Sequence, residues 1–290
     1  MRLLEDKIKR LFIEFLIPSI GGAVVLALYS FVDMIAIGQG VGVNGTAATA
    51  ILTPIVSMAS FLGLLVGMGG SVLYSRAKGE GDTAEANGAF TASTVFIGGI
   101  IVVVWISVLI FKFPIYRLLG GTEALIPYID DYANLTFWTY PFFILLPFLS
   151  CFLRNDDAPK LVMISTLAGA AINIFFDWFF VFPCNMGMFG ASLATSMGTA
   201  MQCFIMLTHF FTKKCTLKLI APKKIISVII KITKNGFGAG FSQLALIITT
   251  FITNKQIMKY AGDTELAVFG IMLVPVSYTH LRAHETCADL

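Results

Sequence analysis

Residues 90–113 read FTASTVFIGGIIVVVWISVLIFKF, and no charged side chain interrupts the run until Lys112. Crossing the hydrocarbon of a bilayer as a helix takes about 20 mostly apolar residues, so this stretch is a membrane span. Similar runs flank it at roughly Leu11–Gly38, Ile51–Tyr74, Leu135–Leu153, Leu161–Phe182 and Met188–Phe211. A seventh covers about Gly236–Asn254, preceded by an amphipathic stretch from Ile225, and an eighth begins near Leu266. The runs are continuous rather than alternating, which excludes a β-barrel. The apolar run nearest the N-terminus is too long for a cleaved signal, carries Glu14 and lacks a small-residue cleavage site.

Composition agrees. The 290-residue chain is 57% hydrophobic and 13% charged, about half the roughly 25% charge of soluble domains. One soluble core of this size cannot hide that much apolar surface. The five cysteines are scattered without a pairing pattern, and the formal charge of +3 is too small to suggest nucleic acid. Orientation follows from Lys and Arg. With the N-terminus inside, the cytoplasmic segments carry fifteen, seven of them between Lys213 and Lys234, and the outer segments carry four. Such a bias places the N-terminus in the cytoplasm.

The first and second spans can be laid over the seventh and eighth at an offset of 221 residues. Thr53-Pro54-Ile55 then falls on Val274-Pro275-Val276, and Asp33 falls on Asn254. An even number of intervening helices gives both copies one orientation. A parallel repeat of this kind implies two six-helix halves around a cavity.

An acidic residue inside a span costs ~2.5–3.5 kcal/mol on insertion scales and is a functional hypothesis by default. Asp33 lies five residues before Gly38, and Asp177 lies six before Pro183. At 1.5 Å per residue both sit roughly 8–9 Å below the outer ends of their helices. Asn173 is one turn from Asp177, and Thr195 enters the same depth on the returning helix. The bland alternative is private structural hydrogen bonds or contact with outer headgroups. The functional alternative is a site that loads a proton, or shares a sodium ion with the amide and hydroxyl oxygens. Glu14 reads as interfacial. Pro18, four turns before Asp33, is a static kink or a hinge. Glycines 63, 67, 69 and 70, and 236, 238 and 240, read as close-packing surfaces.

Other signals are weaker. Gly40-Val41-Gly42-Val43-Asn44-Gly45 matches the dinucleotide fingerprint but has no strand before it, and reads as a turn. Asn155-Asp156-Asp157 resembles half of an acidic metal-diphosphate motif. No second acidic cluster faces it, so it reads as a solvated loop, and His209 reads as packing.

The stretches YSFVDMIAIGQ (29–39), GGSVLYSRAKGEGDTAEAN (69–87), FLRNDDAPK (152–160), AGAAINIFFDWFFVF (168–182) and GMFGASLATSMG (187–198) resemble the multidrug and toxic compound extrusion (MATE) transporters, particularly their MepA-like bacterial branch. The resemblance implies an all-α integral membrane fold: a six-helix N-lobe of a two-lobed, twelve-helix transporter, plus the start of the second lobe. It divides the chain into the lobe at 1–212, a basic linker at 213–235 and the start of the next lobe at 236–276. The final residues, 277–290, resemble translated sequencing adapter and are expected to be foreign. The implied function is not enzymatic: proton- or sodium-coupled export of amphipathic, often cationic, drugs across a bacterial inner membrane. The protein is expected to be monomeric, with no cofactor, metal or nucleic-acid partner. The implied cation site is Asp33, Asn173, Asp177 and Thr195, with Pro18 bending the first helix. Tyr29, Met201 and Gln202 are candidate substrate-lining residues. Asp157 stands where the family usually has Gly, a departure expected to affect only loop shape. Two rivals are a lipid flippase, which predicts a more basic cavity, and a membrane transferase, which needs paired acidic motifs.

Overall fold

The computed structural model describes residues 25, 28–222 and 224–273. The readings of Glu14, Pro18, Pro275 and the tail from 277 fall outside the described residues. All regular structure among those described is helical. The helices are α1 (28–40), α2 (Val43–Gly79), α3 (Thr83–Ile110), α4 (Lys112–Leu118), α5 (Ile126–Trp138), α6 (Tyr140–Asn155), α7 (Pro159–Val181), α8 (Gly187–Leu207), α9 (Ile225–Tyr260) and α10 (263–273). A 3-10 turn, Thr208–Phe211, follows α8.

Four of these helices, α2, α3, α7 and α9, are long and apolar enough to cross a membrane, and α5 with α6 makes a fifth, bent span. The bend is 54°. The expected span from Leu135 to Leu153 is therefore two helices beginning at Ile126. Pro141 explains the break, because a proline fits the first turn of α6 but cannot continue α5. On α3 the exposed side chains Val95, Val102, Val103, Ile106 and Ile110 form an apolar face, as a helix meeting lipid requires. Asp82 caps its start, accepting the Glu85 N–H at 2.8 Å.

Glycines set the closest crossings. A Cβ on Gly236 would overlap the Leu65 carbonyl, and one on Gly69 would overlap the Ile232 carbonyl. Gly240 lies against Phe61, whereas Gly238 has open space and takes no part. Backbone thus meets backbone where α9 crosses α2. Gly236→Val should force the helices apart and cost about 1–3 kcal/mol or more, the usual range for overpacking. Gly238→Val should be near neutral, and thermal unfolding of the two variants in detergent checks the contrast.

The repeat is present as a matched turn, in a register one residue from that read in the sequence. The N–H groups of Val41 and Gly42 both donate to the Ile37 carbonyl, and those of Ala261 and Gly262 both donate to that of Ile257. Gly42 and Gly262 both have positive φ, 91° and 120°. The offset is 220, not 221. The turn decides it, since only glycine takes that conformation freely.

One acidic residue was misread. Asp156 is not solvated but 2% exposed, while Asp157 beside it is exposed with φ 57°. An Asp in that left-handed conformation carries a backbone cost that Gly does not. Asp157→Gly should raise stability by up to about 1 kcal/mol, read as a higher melting temperature.

Candidate functional site

Three helices bring the intramembrane polar residues together. α1 supplies Asp33, α7 supplies Asn173 and Asp177, and α8 supplies Thr195. Asp177 is 0% exposed and Asn173 2%. The carboxyls of Asp33 and Asp177 are direct electrostatic neighbours. Asn173 Nδ2 donates to Thr195 Oγ1 at 3.3 Å. Four acceptor oxygens here are buried without a protein hydrogen-bond donor: Asp33 Oδ1, Asn173 Oδ1 and both carboxylate oxygens of Asp177. Two ionised carboxylates side by side and out of water repel each other and lose their hydration. The group of oxygens suits a proton or a hard cation, since both carry positive charge to carboxylate, amide and hydroxyl oxygen.

The packing explains how the groups meet. α7 and α8 cross where a Cβ on Gly198 would meet the Gly169 carbonyl at 2.8 Å and Asn173 Cβ at 3.1 Å. Gly169 also leaves room for the Gln202 side chain. Between them lies a cavity of about 10 Å³, room for one water molecule, lined by Tyr29, Asn173, Thr195, Thr199 and Gln202 with the two glycines. Of the three candidate substrate-lining residues, Tyr29 and Gln202 reach this cavity. Met201 is 40% exposed and is not among the residues that line it.

The sequence reading missed Tyr132. Its hydroxyl pairs with Thr195 and is an electrostatic neighbour of Asp33, Asp177 and Tyr29, so α5 borders the site as well. A hydroxyl ladder holds α5 and the bend against α8. Thr136 meets Ser192 at 3.0 Å, Ser192 donates to the Tyr132 carbonyl at 2.7 Å, and Thr139 meets Ser196 at 2.9 Å. The signal was available: Ser192, Thr195, Ser196 and Thr199 recur at three- and four-residue spacing on one side of α8.

At the other end of the bundle, Asp156 is the centre of a second polar cluster. Its carboxylate accepts from Tyr74 at 3.2 Å, Lys78 at 3.1 Å, His209 at 2.8 Å and the Thr216 N–H at 2.9 Å, and it also meets the Thr216 hydroxyl. Burial alone would raise this carboxyl. The bonds from Thr216, His209 and Lys78 outweigh it and hold the group below the ordinary carboxylate range. His209 is thus a hydrogen-bonding partner of this carboxylate rather than mere packing. Asp156, His209 and Cys215 have a spacing that could hold a metal. The carboxylate is already saturated with donors, one of them the Lys78 ammonium, which opposes a second cation. The segment after His209 is also pinned to α3, because Lys218 N–H donates to Asn87 Oδ1 at 2.7 Å and Ile220 N–H to Thr91 Oγ1 at 2.8 Å.

The sequence profile of the MatE family matches residues 18–179, more than half of the chain. The chain belongs to the MATE family. Among its relatives, the multidrug export protein MepA of Staphylococcus haemolyticus is 26% identical over 96% of this chain and 62% of its own length. The probable multidrug resistance protein YoeA of Bacillus subtilis is 24% identical over 93% of this chain and 60% of its own. The chain therefore spans about three fifths of the length of these relatives. The MATE multidrug transporter DinF-BH, solved as a ligand complex, superposes with a TM-score of 0.85 at 28% identity. It covers 93% of this chain and 61% of its own. An outward-facing MATE structure shares the fold with a TM-score of 0.79 at 22% identity, over 96% of this chain and 63% of its own. The chain thus carries the all-helical fold of the MATE transporters.

Proposed function

We propose that the complete protein exports amphipathic, often cationic, drugs across a bacterial cytoplasmic membrane, in exchange for protons or sodium ions. Asp33, Asn173, Asp177 and Thr195 form its coupling site, and Tyr132 completes the wall. The observation that supports this reading best is the adjacent carboxylate pair with its buried, donorless oxygens. A site of that charge holds a proton or cation in one state and gives it up when water or drug enters. Two six-helix lobes, with the first at 1–212 and the N-terminus cytoplasmic, supply alternating access, and the protein works as a monomer in lipid. The charge bias supports that orientation, which places the Asp156 cluster inside and the carboxylate pair towards the outer face. The absence of Lys or Arg from the residues described around the pair favours a drug exporter over a flippase for anionic lipids.

The test uses the complete transporter in proteoliposomes, with a fluorescent lipophilic cation as the probe. An imposed proton or sodium gradient should drive accumulation of the dye, and dissipating that gradient should stop it. Dye movement indifferent to both gradients would overturn the coupling reading.

A further inference from the structure

Proline 54 lies inside α2. It has no N–H to give the Ala50 carbonyl four residues earlier, so that acceptor loses its helical partner. Ala50 is fully buried, and a buried carbonyl without a donor is costly. Asn254, near the far end of α9 and 0% exposed, reaches across and donates its Nδ2 to the Ala50 carbonyl at 2.8 Å. Its own Oδ1 has no hydrogen-bond donor. The bond spans 204 residues of sequence. Gly270 of α10 closes on the same turn, because a Cβ there would meet the Ala50 Cβ at 2.8 Å. Three helices therefore converge on one backbone acceptor that a proline has freed.

We propose that Asn254 and the Pro54-freed carbonyl form a catch between the two lobes, on the side where α2 begins and α9 ends. This rests on the alternating-access reading above and adds to it the group that holds the outer side closed. An ordinary helical carbonyl keeps its own helical donor when a second partner leaves, whereas this one is left without any. The proline makes the acceptor available to a partner that moves. Parting the lobes on that side breaks the bond and leaves the Ala50 carbonyl to water. The catch thus biases the open–closed balance by about the net worth of one hydrogen bond, and holds the closed state without locking it.

A double-substitution cycle tests this in the complete transporter, with native cysteines replaced and spin labels attached through Val43→Cys and Tyr260→Cys. Both positions are exposed, at 49% and 75%. Pulsed electron resonance in nanodiscs then reports the separation of the ends of α2 and α9. Asn254→Leu should raise the parted fraction about fivefold, what one net hydrogen bond is worth. Pro54→Ala restores the N–H within α2 and frees the carbonyl from the catch, so it should do the same. The two together should do no more than either alone. Thermal unfolding run in parallel identifies any variant that fails to fold, and Asn254→Gln, which keeps the donor, serves as the second probe and should shift the balance less than Asn254→Leu. Additive effects, or no shift with Asn254→Leu in folded protein, would overturn the catch. If dye and gradients move the labels in the parent but Asn254→Leu does not, the catch alone fails. If nothing moves them in the parent, alternating access fails and the catch with it.

Discussion

Asp177→Asn should lower gradient-driven dye export at least about 10-fold, the loss expected when one charge-assisted contact of roughly 1.5–3 kcal/mol is removed. The replacement has the same shape, and its amide can donate to Asp33, which has an oxygen without a donor. The folded state should therefore survive, with a melting temperature within about 5 °C of the parent. Asp33→Asn should behave alike, because either change removes one of the two negative charges that attract the cation. Export assays beside thermal unfolding separate the two effects. Export retained in both variants would show that the pair is structural.

Asp156→Ala should act in the opposite manner, on stability before transport. The carboxylate is the shared acceptor for Tyr74, Lys78, His209 and Thr216, and removing it strands a partly buried ammonium and several donors. Breaking such a buried pair costs roughly 3–5 kcal/mol. That loss should appear as a lower melting temperature, and as proteolytic cleavage in the segment around Thr216 that the carboxylate holds. The pH dependence has a definite sign. The folded carboxyl lies below its ordinary value, so its stabilisation is complete above pH of about 4 and is lost as pH falls through the lowered value. Unfolding measured between neutral and acid pH should show this component in the parent and not in Asp156→Ala.

The contrast between the two clusters shows what a sequence can reveal. Asp33 and Asp177 were legible because acid in a span is costly, and Asn173 and Thr195 followed from helical spacing. Tyr132 was not, since Asp130 and Asp131 beside it keep it outside the apolar run that begins at Leu135. Asp156 was hidden for another reason. Its partners lie between 53 and 82 residues away, and a carboxylate followed by Asp157-Ala158-Pro159 looks like any exposed turn. The α5–α6 bend could be expected from Pro141, but not its angle of 54°, which packing against α8 helps to fix. The repeat was visible as a pattern, and only backbone conformation at Gly42 and Gly262 set its register.

Coupling through the carboxylate pair requires it to exchange a positive charge with solvent. Calorimetry of the complete protein, run in two buffers of different ionisation enthalpy, measures that exchange as protons released when sodium or dye binds. Either proton release on ligand binding or saturable sodium binding is expected, in either case abolished by both Asp33→Asn and Asp177→Asn. Binding of dye with neither proton release nor sodium binding in the parent, or with release unchanged in both variants, would contradict it.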